Sequence, residues 1–192
     1  MSPKLLSLSG IAIVGGAGLL AGAQAWVSFM LDGTHDIEKV TGHALNPALS
    51  PVAIAIVAAA LALTIAGPIF RRVLGVLVAL LGVGLAALTI NVLQAPLSAV
   101  SGRITELTGI AGGASTTMVV WSQVSVWAWV SLAAGVLAAL LGVLVAITGG
   151  RWVTGGRKYD AGSAAKSRGG APDRISDWDA LSDGDDPTAD IR

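Results

Sequence analysis

Four long stretches of this chain carry no Asp, Glu, Lys or Arg, and they constrain the fold more than any motif does. Between Lys4 and Asp32 lie 27 residues, between Lys39 and Arg71 31, between Arg72 and Arg103 30, and between Glu106 and Arg151 44. A hydrocarbon layer ~30 Å thick is crossed by ~20 consecutive apolar residues in a helix, so every gap is long enough to span it. With 54% hydrophobic and 12% charged residues, the chain is far from soluble domains, in which roughly 25% of residues are charged. The expected fold class is an all-α integral membrane protein with four transmembrane helices.

The spans fall at about residues 6–28, 51–70, 73–94 and 125–148, inside a membrane domain covering residues 1–152. Unpaired backbone groups are not tolerated in lipid and four segments are too few for a barrel, so the spans must be helices. Lys4, the Arg71-Arg72 pair, Arg151, Arg157 and Lys158 fall on one side. The opposite loops hold Lys39 and Arg103 among Asp32, Asp36, Glu38 and Glu106. Basic flanks stay inside, so both termini are expected in the cytoplasm.

The Arg71-Arg72 turn is short enough to force spans two and three into a tight antiparallel hairpin, with Pro68 near the end of span two. Trp26, Trp121, Trp127, Trp129 and Trp152 lie near span ends, where amphipathic indoles sit at headgroup level. Ala23-Gln24-Ala25 has the form of a signal-peptide cleavage site. However, the apolar run before it exceeds the ~7–15 residues of such a peptide and continues through Val27, Phe29, Met30 and Leu31, so a retained span is expected. Small residues four apart recur as Gly18 and Gly22, Gly75 and Ala79, and Ala134, Ala138 and Gly142. They let helix backbones approach closely, within one chain first and between copies of a homo-oligomer second.

Ionisable groups inside a bundle mark transport and proton relay, and the spans contain none. Their strongest polar groups are Gln24, Asn91, Gln94, Thr64 and Thr89, which suit hydrogen bonds between helices worth ~0.6–2 kcal/mol. Alternatively, Asn91 and Gln94, one turn apart, border a path for a polar solute. The absence of cysteine removes disulfides, thiolate nucleophiles and thiolate-held metals. Asp32, His35, Asp36, Glu38 and His43 share the first outer loop without any paired metal-ligand spacing, so a solvated loop is expected there. No nucleophile elbow, phosphate loop or dinucleotide fingerprint occurs. Neither catalysis, nor a cofactor, nor a nucleic-acid partner is expected. Further along, Leu97, Val100, Ile104 and Leu107 follow Pro96 along one helical face, and Gly109 suits the stop. An interfacial helix over about residues 97–108 is predicted. Gly109 to Thr117 reads as a flexible loop.

Charge is split along the chain: residues 1–158 hold eight basic and four acidic side chains, residues 159–192 four basic and eight acidic. Residues 153–174 have the Gly, Ser and Ala content of a flexible linker, and 175–192 form an acidic, mostly disordered tail. Within the tail Ile175, Trp178 and Leu181 recur every third residue, Ser176 with Asp179 can cap a helix, and Gly184 can end it. A helix of ~2 turns is marginal alone and gains stability by docking. Anionic lipid repels an acidic tail, so a protein partner is expected there.

The Gly42-His43-Ala44-Leu45-Asn46-Pro47-Ala48-Leu49 entry to span two, the double-Arg hairpin, Arg151-Trp152 before Arg157-Lys158-Tyr159, and the ending from Asp177 to Thr188 resemble one family. It is the actinobacterial tryptophan-operon-associated transmembrane protein family, and the resemblance covers nearly the whole chain. The tail Trp is followed here by Asp179, where the family pattern has a basic residue. The resemblance implies a multi-pass protein of the bacterial plasma membrane encoded near tryptophan-biosynthesis genes, and it implies no catalytic mechanism. It adds weight to the tail as a docking element, with Ile175, Trp178, Leu181, Gly184, Asp186 and Pro187 as the candidate contacts. The expected function is that of an accessory or scaffold protein. A small oligomeric permease or exporter for tryptophan or a related aromatic compound is the alternative.

Overall fold

A computed structural model of the chain describes residues 3–110 and 112–151. Linker residues 153–174 and the tail residues Ile175, Trp178, Leu181, Gly184, Asp186 and Pro187 lie outside the described residues, as does Trp152. Along the chain come α1 (Pro3–Ala23), β1 (Ala25–Leu31), β2 (Ile37–Thr41), α2 (Gly42–Leu45), α3 (Leu49–Ile65), α4 (Pro68–Gln94), α5 (Pro96–Thr108), α6 (Gly113–Thr116), β3 (Val119–Val124) and α7 (Val126–Thr148). A single 3-10 turn, Gly149–Arg151, follows.

Helices α1, α3, α4 and α7 form a bundle in which α1 touches α3 and α7, and α4 touches the same two. Helices α4 and α7, of 27 and 23 residues, are long and apolar enough to cross a membrane. At 1.5 Å per residue they reach ~40 and ~35 Å against a core of ~30 Å. The apolar part of α1, Ser7–Ala23, and α3 are shorter. The α4–α7 contact is made by glycines. A Cβ at Gly82 would stand 2.7 Å from the Gly135 carbonyl oxygen, and one at Gly75 would stand 2.6 Å from the Ala146 nitrogen. Backbone lies against backbone here, which is the use expected of Gly75, Ala79, Ala138 and Gly142 within one chain. Gly18 of α1 faces Leu85.

The hairpin forms, but its turn does not lie at Arg71-Arg72. Helix α3 stops at Ile65, Gly67 precedes α4 in extended conformation, and Pro68 occupies the first turn of α4. Proline starts a helix at no cost because its missing N–H has no intrahelical partner there. Arg71 is consequently inside α4 and only 2% exposed, next to Gly149, rather than in a solvated turn.

The all-α expectation fails at the other end of the bundle. Strands β2, β1 and β3 form an antiparallel sheet in that order, with Ser28 opposite Lys39 on one side and Gln123 on the other. The predicted first span, 6–28, is therefore cut at Ala23. Residues Ala25–Leu31 are apolar enough to prolong a hydropathy plot, yet Val27, Phe29 and Leu31 are buried and alternate with half-buried Ser28 and Met30. That period of two, with aromatic and β-branched residues, belongs to a strand. The first loop is likewise only partly a solvated loop: Asp32 to Asp36 are exposed, whereas Ile37–Thr41 is β2 and Gly42–Leu45 is α2. The segment read as a flexible loop, Gly109 to Thr117, contains α6.

Helix α5 has the predicted limits within a residue. Pro96 opens it, and Gly109 closes it in the left-handed conformation with φ 72°, donating its N–H to the Thr105 carbonyl. Val100 and Ile104 are fully buried and Leu107 is 41% exposed, so the stripe is buried only in its middle.

Candidate functional site

The sheet is joined to the bundle where α1 ends, α2 begins and α7 begins, and Trp26 organises that junction. It is fully buried, not at a headgroup surface, and its indole N–H donates to the Ala21 carbonyl at 2.8 Å, satisfying one of the last carbonyls of α1. Its own carbonyl accepts from the Ser125 N–H at 2.7 Å. Gly42 closes over the ring: a Cβ there would come within 2.8 Å of the indole. The Gly42 N–H donates to the Gln24 carbonyl at 3.2 Å. Thr41 caps α2 by accepting from the Ala44 N–H, and Ser125 caps α7 by accepting from the Trp127 N–H.

Beside this junction a cleft of about 490 Å³ opens, lined by Gln24, Ala25, Ser28, Lys39, Gln123, Val124, Ser125, Val126 and Trp127. The sheet register explains the lining, since Lys39, Ser28 and Gln123 stand side by side across three strands and point to one face. Lys39 is the one charged side chain in this lining, which contains no carboxylate. The N-terminal end of α7 adds a partial positive charge at the rim. Chemically, the cleft offers an ammonium, two amides and two hydroxyls beside an indole that is 40% exposed.

Lys39 also borders a second hollow of about 590 Å³, shared with Thr41, Ala44, Gly102, Arg103 and Glu106. Arg103 there is already matched, at 3.0 Å from Glu106 and 3.6 Å from Glu38. The hydrogen bond that it donates to Glu106, then the charge of Glu38, hold the pKa of its guanidinium above its ordinary value.

The other sequence candidates are dispersed. Asn91 and Gln94 lie on the exposed side of the last turn of α4 and line none of the described cavities. Gln24 sits in the bend between α1 and β1, on the wall of the cleft. Thr89 is buried between α4 and α7 with Ser131: its hydroxyl donates to the Leu85 carbonyl at 2.9 Å, so Ser131 donates to Thr89 at 3.3 Å. His35, Asp32 and Asp36 are exposed, whereas the His43 ring packs on Gly22 with Nε2 buried and unbonded. Among the described residues no three His, Asp or Glu side chains gather as a metal set would. The cleft itself escaped the sequence reading, which counted Lys39 only as a flanking charge. The alternation of Ser28 with its apolar neighbours was the available signal.

A family model described as tryptophan-associated transmembrane protein matches residues 8–188. No curated protein matches the chain.

Proposed function

The chain belongs to the tryptophan-associated transmembrane protein family, and from that premise we propose that it is a non-enzymatic accessory protein of the bacterial plasma membrane. In this reading four helices cross the bilayer, both termini are cytoplasmic, and the acidic tail docks a cytoplasmic partner through Trp178 and Leu181. The observation that carries it is the close packing of α4 on α7. Glycine-mediated backbone contact closes α4 on α7, and the three described cavities are lined at the sheet end of the bundle. A bundle so closed holds position better than it moves a solute. Topology follows from charge: Arg71 and Arg72 lie at the hairpin end, opposite the sheet. Helices α1 and α3, short but apolar, gain their place by packing on α4 and α7.

The test is crosslinking and affinity capture from native membranes, comparing the intact chain with the Trp178→Ala, Leu181→Ala double variant. A partner captured by the intact tail and lost in the double variant, with membrane insertion unchanged, is the expected result. Identical capture profiles overturn the docking role. Asn91 and Gln94 favour one rival: amides exposed on α4 are placed for a path between copies of the chain, as in an oligomeric permease. Tryptophan flux into proteoliposomes that slows in Asn91→Ala would replace the accessory reading, and flux equal to empty vesicles removes the rival. Because the chain has no native cysteine, single cysteines at Ser122 and Ser176 report topology directly. An impermeant maleimide should label the first in intact cells and the second only after lysis.

A further inference from the structure

We propose that the cleft between the sheet and the start of α7 binds the oxyanion headgroup of an anionic phospholipid. Three observations converge. The charge in the lining is one-sided, with Lys39 present and no acid. The two ion pairs found among the described residues both belong to Arg103, so among those residues the Lys39 ammonium has no ion-pair partner. Around it Gln24, Ser28, Gln123 and Ser125 supply amide and hydroxyl donors, the groups that complete the coordination of a phosphate bound to a single cation.

A further observation selects a lipid over a free phosphate or carboxylate. The rim of the cleft is apolar and continues down the bundle. From Val126, 66% exposed, a stripe descends α7 through Val130, Ala133, Leu137, Leu140 and Leu144 at alternating steps of four and three residues. Those steps keep one face of a helix, and Leu137, Leu140 and Leu144 on it are 49%, 61% and 46% exposed. A headgroup in the cleft places acyl chains on that stripe, with Trp127 at the boundary where indoles prefer to lie. A free anion would use the polar floor alone and leave the stripe idle.

Native mass spectrometry of the full chain in detergent, titrated with phosphatidylglycerol or phosphatidylcholine, tests this. The expected result is preferential retention of phosphatidylglycerol, reduced about fivefold in Lys39→Gln and restored in Lys39→Arg. Arg72→Gln, which removes the same charge at the opposite end of the bundle, should leave retention unchanged. Equal retention in the wild type and Lys39→Gln overturns the proposal, as does equal loss in Arg72→Gln, which would mean diffuse charge attraction. Inorganic phosphate displacing the lipid at equal concentration overturns the lipid assignment in favour of a free oxyanion. Lys39 is exposed on an edge strand, so its variants test binding rather than folding.

Discussion

The bundle and the sheet end solve the packing problem in opposite ways. Between α4 and α7 the contact depends on missing side chains, with Gly82, Gly135, Gly75 and Gly142 setting backbone on backbone. At the sheet end the core is made of large side chains, Trp26, Phe29 and Val27, all fully buried. The difference follows from solvent. Lipid tails are as apolar as leucine, so helices gain nothing by hiding side chains from them and associate through close van der Waals approach. A sheet facing water gains ~25 cal/mol per Å² of apolar area it covers. One continuous core therefore runs from the sheet into the bundle, with Trp26, Ile11, Ile56 and Leu85 all fully buried in it, and the glycine contact of α4 on α7 is its backbone-packed part.

The sharpest way to break the bundle's half of the contrast is Gly142→Leu. Even a Cβ there would stand 2.7 Å from the Gly75 carbonyl oxygen, and backbone atoms on a packed helix have nowhere to go. The expected outcome is loss of the compact species in size-exclusion chromatography. Gly84→Ala, with nothing within 4 Å of the new methyl, should leave that species intact. Next in size, Trp26→Ala should cost ~3–5 kcal/mol and act on the sheet end. Hydrogen exchange should rise over β1, β2 and β3 while α4 and α7 remain protected. Equal exchange at both ends would show that the sheet end and the bundle unfold as one cooperative unit.

Ser131→Ala tests the Thr89–Ser131 contact buried between α4 and α7 and should lower stability by ~0.6–2 kcal/mol in a detergent thermal melt. A larger loss would mean that Thr89 needs Ser131 to stay buried. Smallest of all, Arg103→Gln removes both ion pairs with Glu38 and Glu106 and should leave the melt midpoint unchanged, because exposed pairs are offset by solvation and side-chain ordering. A clear shift would assign α5 a role in clamping β2.

The charge-free stretches made the helices legible, because exclusion of charge from lipid acts residue by residue and needs no knowledge of neighbours. The start and stop of α5 were legible for the same local reason, through Pro96 and Gly109. Local reading misplaced the α3–α4 turn by assigning it to the arginines, although Gly67-Pro68 is a helix start in its own right. The sheet was hidden for a different reason. Strand β1 is apolar enough to pass as the end of a span, and its partner β3 lies some 90 residues away, so pairing of Ser28 with Gln123 has no sequence-local trace. The tail motif was fully visible in the sequence and stands on that reading alone.

By itself the sequence determined that this chain is a helical membrane protein of the tryptophan-associated family, since hydrocarbon penalises each charge independently and the family match runs along residues 8–188. Tertiary structure alone decided that Trp26 is a core residue, that the amides of α4 lie outside the bundle, and that Lys39, Ser28 and Gln123 meet in one cleft beside Trp127. Those are properties of strand register and helix rotation. Both are set by contacts between segments far apart in the chain, where no single residue carries the information.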